Sequence, residues 1–129
     1  MSQQIATLIA SKPGIMRNSL VSYLRSMARI EPIFVADDSA AAWQIAGTHA
    51  LDLVIVDADW DESRVVAFVQ RIVQVQVSIK LIVLVESVQQ QQLFLRHGAH
   101  HALLKGLLNE QLRAAILSEQ LIQNKEVRK

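Results

Sequence analysis

The stretch Leu51-Asp52-Leu53-Val54-Ile55-Val56-Asp57 is an almost unbroken apolar run that ends on a carboxylate. A short run of mostly branched apolar residues reads as a strand buried on both faces, hence a central strand of a parallel sheet. A carboxylate just past such a strand lies at the carboxyl edge of the sheet, where open α/β sheets place their ligands and chemistry. Asp57 is therefore the first candidate functional residue.

The flanking sequence alternates between two periods. Upstream, Ile5 to Ala10 reads as a strand broken by Pro13-Gly14. Met16, Leu20, Tyr23, Leu24 and Met27 then recur at helical spacing. Pro32 restarts the chain, and Ile33-Phe34-Val35-Ala36 reads as a second strand. Asp37-Asp38-Ser39 offers a helix N-cap, Ala40 to Ala46 favours helix, and Gly47 is expected to close it. Downstream, Asp59, Asp61 and Glu62 suit a helix start, and Val65, Phe68, Val69 and Ile72 mark one face of that helix. Leu81 to Val85 is a second strongly apolar strand. Gln89 to His97 reads as a short helix ended by Gly98, with the glutamine run as polar surface filler. Ala102-Leu103-Leu104 is a fifth strand ending at Lys105, and a last helix starts near Leu108. Five strands alternating with helices imply a parallel sheet with helices on both faces.

The totals agree with one globular domain. The chain has 129 residues, half of them hydrophobic (51%) and 19% charged, with a formal net charge of +1. That balance gives no electrostatic reason to expect nucleic acid or a membrane surface as direct partner. The absence of cysteine rules out disulfides and thiolate metal sites and fits a reducing cytoplasm. No signal peptide is recognised, and no apolar stretch approaches a membrane span.

Three segments carry a family resemblance: Leu53-Val54-Ile55-Val56-Asp57, Arg96-His97-Gly98-Ala99 and Leu103-Leu104-Lys105. Within five βα units, they resemble the receiver domain of two-component response regulators, over about residues 5 to 117. The segment Ile9 to Arg17 resembles the first βα turn of regulators that carry a C-terminal helix-turn-helix. The resemblance implies a doubly wound, flavodoxin-like (βα)5 three-layer sandwich with strand order 2-1-3-4-5. In that family the aspartate after strand three accepts a phosphoryl group, and a pair of acids after strand one helps hold Mg²⁺. A Ser or Thr after strand four and a Lys after strand five contact the phosphoryl oxygens, and an aromatic residue on strand five reports the change.

Carried over residue by residue, Asp57 matches the phosphoacceptor and Lys105 the phosphate-contacting lysine. The acid-pair positions hold Ser11 and Lys12. The hydroxyl position holds Val85, or Glu86 in the neighbouring register, and the aromatic position holds Ala102. The loop after Asp57 also lacks the family's usual Pro and Gly. Mg²⁺ prefers carboxylate and water oxygens, so one carboxylate beside two ammonium groups is a poor site. Phosphoryl transfer depends on positioned positive charge, much of it from the metal. The expectation is a degenerate receiver, not an enzyme, with no cofactor and no metal, acting in protein interaction and dimerisation. Asp57 is expected to pair with Lys12 or Lys105.

The sequence leaves alternatives open. One is a working phospho-accepting receiver. Another is a flavin-binding domain that uses Ser11-Lys12-Pro13-Gly14 as a phosphate loop, although no GxGxxG or GxxxxGK occurs. His97, His100 and His101 suggest a metal site or, more plainly, surface histidines near a turn. Asp59, Asp61 and Glu62 suggest a rebuilt metal site with Asp57 or, more simply, helix-start acids. Trp43 and Trp60 suggest a stacking platform or, with near-neutral charge, packing. The partners implied are a second copy of the chain, a histidine kinase or other signalling protein, and a C-terminal DNA-binding domain in the full-length protein. Residues 1–117 form the receiver-like domain, and 118–129 a helical extension or linker. From Leu107 to Lys129 a continuous helix would span about 34 Å.

Overall fold

The computed structural model describes residues 4–76, 78–105 and 108–117. The expected extension over 118–129 lies outside the described residues. The element order is β1 (Ile5–Ala10), α1 (Ile15–Arg25), β2 (Ile30–Ala36), α2 (Ser39–Thr48), β3 (Leu53–Asp57), α3 (Glu62–Val75), β4 (Lys80–Val85), α4 (Val88–Arg96), β5 (His101–Leu104) and α5 (Leu108–Ile116). The five strands form one sheet in the order β2-β1-β3-β4-β5, and every pairing is parallel. The expected architecture and strand order are therefore observed.

The sheet separates two apolar layers, and alternation along the strands feeds both. Val54 and Val56 of β3, with Leu81, Val83 and Val85 of β4, join Ala42 and Ala46 of α2, Val65, Phe68, Val69 and Ile72 of α3, and Phe94 of α4. Leu53 and Ile55, with Ile82 and Leu84, join Leu20 and Leu24 of α1 and Leu112, Ala115 and Ile116 of α5. Each central strand thus serves both layers, which is why β3 and β4 read as unbroken apolar runs. Full burial of one such side chain is worth about 1.5–3 kcal/mol.

Several boundaries differ from the sequence reading, each for a local reason. β2 begins at Ile30 and carries Pro32 inside it. An edge strand tolerates proline because its outward N–H needs no ladder partner. Gly47 does not close α2: the helix runs on to Thr48, with His49 as C-cap. Asp38 supplies the N-cap, accepting from the Ala41 N–H at 2.8 Å. α4 starts at Val88 behind Ser87, whose hydroxyl accepts from the Gln90 N–H at 3.1 Å. Gly98 follows α4 at φ +123°, a conformation that favours glycine.

The glutamine run is more than surface filler. Gln91 Nε2 donates to the Ala102 carbonyl at 2.7 Å, and Gln90 Oε1 accepts from the Glu86 N–H at 2.9 Å. Gln91 thereby ties α4 to the edge strand β5.

Candidate functional site

The parallel register brings the carboxyl ends of β1, β3, β4 and β5 to one edge. Ala10 pairs with Val56, Asp57 with Leu84, and Val85 with Leu104. The residues at or just past these ends are Ser11, Asp57, Glu86 and Lys105. Asp57 closes β3 as its last residue and is 2% exposed.

The Asp57 carboxylate is fully engaged. Lys105 Nζ lies 2.6 Å from Oδ1, and the Asp59 N–H donates to the same oxygen at 3.2 Å. Ser11 Oγ lies 3.3 Å from Oδ2 and equally far from the Lys12 carbonyl. The one ammonium also serves two outer acids, Asp59 at 3.1 Å and Glu86 at 3.2 Å. An ammonium has three N–H donors, and here each faces a carboxylate. Burial acts to lower the Lys105 pKa, but hydrogen bonds to Asp57 and Asp59, the charge of Asp57 and the Glu86 contact outweigh it. The net effect raises it above the ordinary lysine range.

Arg17 extends the network. Its Nη1 donates to the Ser11 carbonyl at 3.2 Å and pairs with Asp37 Oδ1 at the end of β2. Polar contacts therefore run across the whole edge, from Asp37 through Arg17, Ser11, Asp57 and Lys105 to Glu86. Sequence reasoning missed Arg17. The signal available was its place in the first turn of α1, facing an acid that follows the neighbouring strand.

Of the two expected pairs, only Asp57–Lys105 forms. Lys12 is exposed, and among the described residues it makes no ion pair. It follows Ser11, the first residue past β1, whose side chain already faces Asp57, so the next residue turns outward. Val85 is buried and offers no donor. Glu86, at the alternative register, brings a negative charge where a hydroxyl was sought. Ala102 is buried, and its carbonyl is held by Gln91.

The remaining candidates fall elsewhere. Asp61 accepts from the Ser63 hydroxyl at 2.8 Å and precedes α3, whose first residue is Glu62. Both are helix-start acids. Trp60 packs edge-on against Phe68 and Trp43 lies on the same ring at 4.9 Å, so the tryptophans have packing roles. His97 contacts Gln70 at 2.8 Å. His100 and His101 are half-buried rather than surface residues. Among the described residues no group of three or more His, Asp or Glu side chains is placed to hold a metal ion.

The residues do not fit Mg²⁺. The acid-pair positions offer a hydroxyl and an outward ammonium, and Asp57 Oδ1 is already engaged by Lys105.

The family model for the response regulator receiver domain matches residues 8–117. No curated protein matches the sequence. Among solved structures, the signal receiver domain of an HD domain-containing protein from Pseudomonas fluorescens Pf-5 is similar, with TM-score 0.82 and 19% identity over 96% of this chain and 99% of that one. A response regulator from Burkholderia pseudomallei, solved with a phosphorylated aspartic acid, calcium ion and citrate, matches with TM-score 0.77 and 18% identity over 95% and 73% of the two chains. An atypical orphan response regulator, described as having a phosphorylation-independent regulatory mechanism, matches with TM-score 0.73 and 18% identity over 91% and 95%.

Proposed function

The chain belongs to the response regulator receiver family, and we propose that it acts there as a receiver that signals without Mg²⁺-assisted phosphorylation. The observation that carries this reading is the Lys105 ammonium set 2.6 Å from Asp57 and shared with Asp59 and Glu86. In a switching receiver, positive charge at this corner changes with metal and phosphoryl occupancy. Here Lys105 supplies it without an acid pair beside it to bring in a metal, so the charge at this corner stays fixed. Ser11 and Lys12, in place of the acid pair, offer no carboxylate on the β1 side of Asp57, where the family holds its metal. Val85 and Ala102 remove the hydroxyl and the aromatic that would read a phosphoryl group.

The domain then works as a protein-interaction and dimerisation module rather than as an enzyme. A second copy of the chain is the first partner, and a histidine kinase or other signalling protein is a further one. Residues 118–129 serve as the connector to a DNA-binding unit of the kind the family resemblance implies. A second reading keeps Asp57 as a working acceptor, because both the acceptor position and the lysine that would contact a phosphoryl group are kept, and they meet.

Beryllofluoride with Mg²⁺, titrated while backbone amides near Asp57 are followed by NMR, separates the two readings. The expected result is no saturable shift at millimolar Mg²⁺, and no phosphoryl mass gain from acetyl phosphate. Saturable binding, or a mass gain lost in Asp57→Asn, overturns the first reading and establishes the second.

A further inference from the structure

The opposite edge of the sheet holds a cluster that the carboxyl-edge site does not use. Lys80 opens β4 and is 1% exposed. Its Nζ donates to the Ala115 carbonyl of α5 at 2.6 Å. Lys80 alternates with Ile82 and Leu84, so it points into the layer shared by α1 and α5. His101 opens β5, pairs with Ile82 and shares that face with Leu103. Its Nε2 is buried without a hydrogen-bond partner among the described residues. His100 is committed to the backbone of β4: its Nδ1 accepts from the Leu81 N–H at 2.9 Å, and its own N–H donates to the Leu81 carbonyl.

Lys80 therefore meets the end of α5 with His101 on the same face and His100 beside them, and the described residues of the surrounding elements do not balance these bases. From the β3 side, Asp52 directs a carboxylate oxygen to the Ala6 N–H at 3.0 Å, while its carbonyl accepts from the Lys80 N–H. On α5, Glu110 sits in the first turn, away from Ala115, and Arg113 is exposed. On α1, Tyr23 packs against the same apolar layer and Arg25 is exposed. Among the described residues no carboxylate lies within salt-bridge distance of Lys80, His100 or His101. A buried ammonium with only a carbonyl partner and a buried imidazole nitrogen with none are both costly.

We propose that α5 is a proton-driven latch: its C-terminal turn shields Lys80 and His101, which share its face of the sheet, from water, and acidification favours an open form in which water reaches them. Burial lowers Lys80 to about 8 from its ordinary 10.5. Burial, and then the charge of Lys80, lowers His100, and the same causes together with His100 lower His101. In the open form Lys80 and His101 regain their ordinary affinity, so the open form binds more protons. Opening becomes easier as pH falls from 10.5 to about 8, by roughly 300-fold for Lys80 alone. That gain is complete at neutral pH. His101 adds a second rise in opening as pH falls below about 6.5.

Amide hydrogen exchange on the full chain between pH 5.5 and 8, corrected for intrinsic rates, tests the latch. The N–H groups of residues 112–117 are compared with those of β4. The expected result is a loss of α5 protection relative to β4 between pH 7.5 and 5.5, up to about tenfold, the limit set by the ordinary histidine pKa of about 6.5. His101→Leu should flatten that slope, and Lys80→Met should raise α5 protection at neutral pH. Constant α5 protection, a parallel fall in β4, or an undiminished slope in His101→Leu overturns the proposal. The His101→Leu result stands on its own should Lys80→Met not fold. None of these readouts depends on whether Asp57 takes a phosphoryl group.

Discussion

Two lysines occupy opposite edges of one sheet and meet opposite environments. Lys105, at the carboxyl edge, faces three carboxylates and is held protonated. Lys80, at the amino edge, faces one carbonyl and is held toward its neutral form. Both give up water, but only Lys105 recovers charge compensation. A buried charge is tolerated when its partner is also charged and costs stability when its partner is only a dipole.

The largest effect should come from breaking the compensated side. Lys105→Met leaves Asp57 buried beside two outer acids, and loss of one member of a buried pair costs about 3–5 kcal/mol. Urea unfolding at pH 7 should show that loss, and adding Asp57→Asn should restore most of it. If the double variant is no more stable than Lys105→Met, the pair is not coupled.

A smaller effect of opposite sign belongs to Lys80. Its lowered folded pKa means that the unfolded chain binds more protons, so stability rises with pH between about 8 and 10.5. Lys80→Met removes a penalty of about 3 kcal/mol at pH 7 and loses one hydrogen bond worth about 1. The expected net gain is roughly 2 kcal/mol at pH 7, vanishing near pH 10.5. Lys105 has the reverse dependence: its contribution is complete below the ordinary lysine pKa and is lost only as pH climbs above it. A Lys80→Met gain that is equal at both pH values would show that packing, not charge burial, separates the two edges.

The smallest effect sharpens the distinction within the carboxyl edge. Glu86 is largely exposed, unlike Asp57. Glu86→Gln should cost no more than about 1 kcal/mol, and the loss should shrink in high salt. A salt-insensitive loss as large as that of Lys105→Met would mean that Glu86 carries the pair.

The sheet was legible because its signal is redundant. β3 and β4 each feed two apolar layers, so nearly every residue in them had to be apolar, and Asp57 stood out as the exception. The placement of side chains at the edge was less legible. Lys12 and Lys105 both follow strands near Asp57, and which one reaches it depends on the direction in which each side chain leaves its strand. Gly47 stood in an otherwise sound position for a helix end, but intrahelical bonding carries α2 one residue further. Lys80 escaped notice because a lysine beside an apolar run reads as the solvent end of a strand. Its parity with Ile82 and Leu84 was the available clue. The adjacent histidines looked like turn residues for the same reason, although one of them already belongs to β5.

Trp60 stands in the loop just past Asp57, packed edge-on to Phe68, with Trp43 against the same ring. Its indole N–H is buried and finds no acceptor among the described residues. An indole held in apolar surroundings without a hydrogen bond emits at short wavelength, and water reaching that N–H moves the emission to the red. In a Trp43→Phe background the protein thus carries its own optical gauge beside Asp57, able to time any rearrangement of that loop without an added dye.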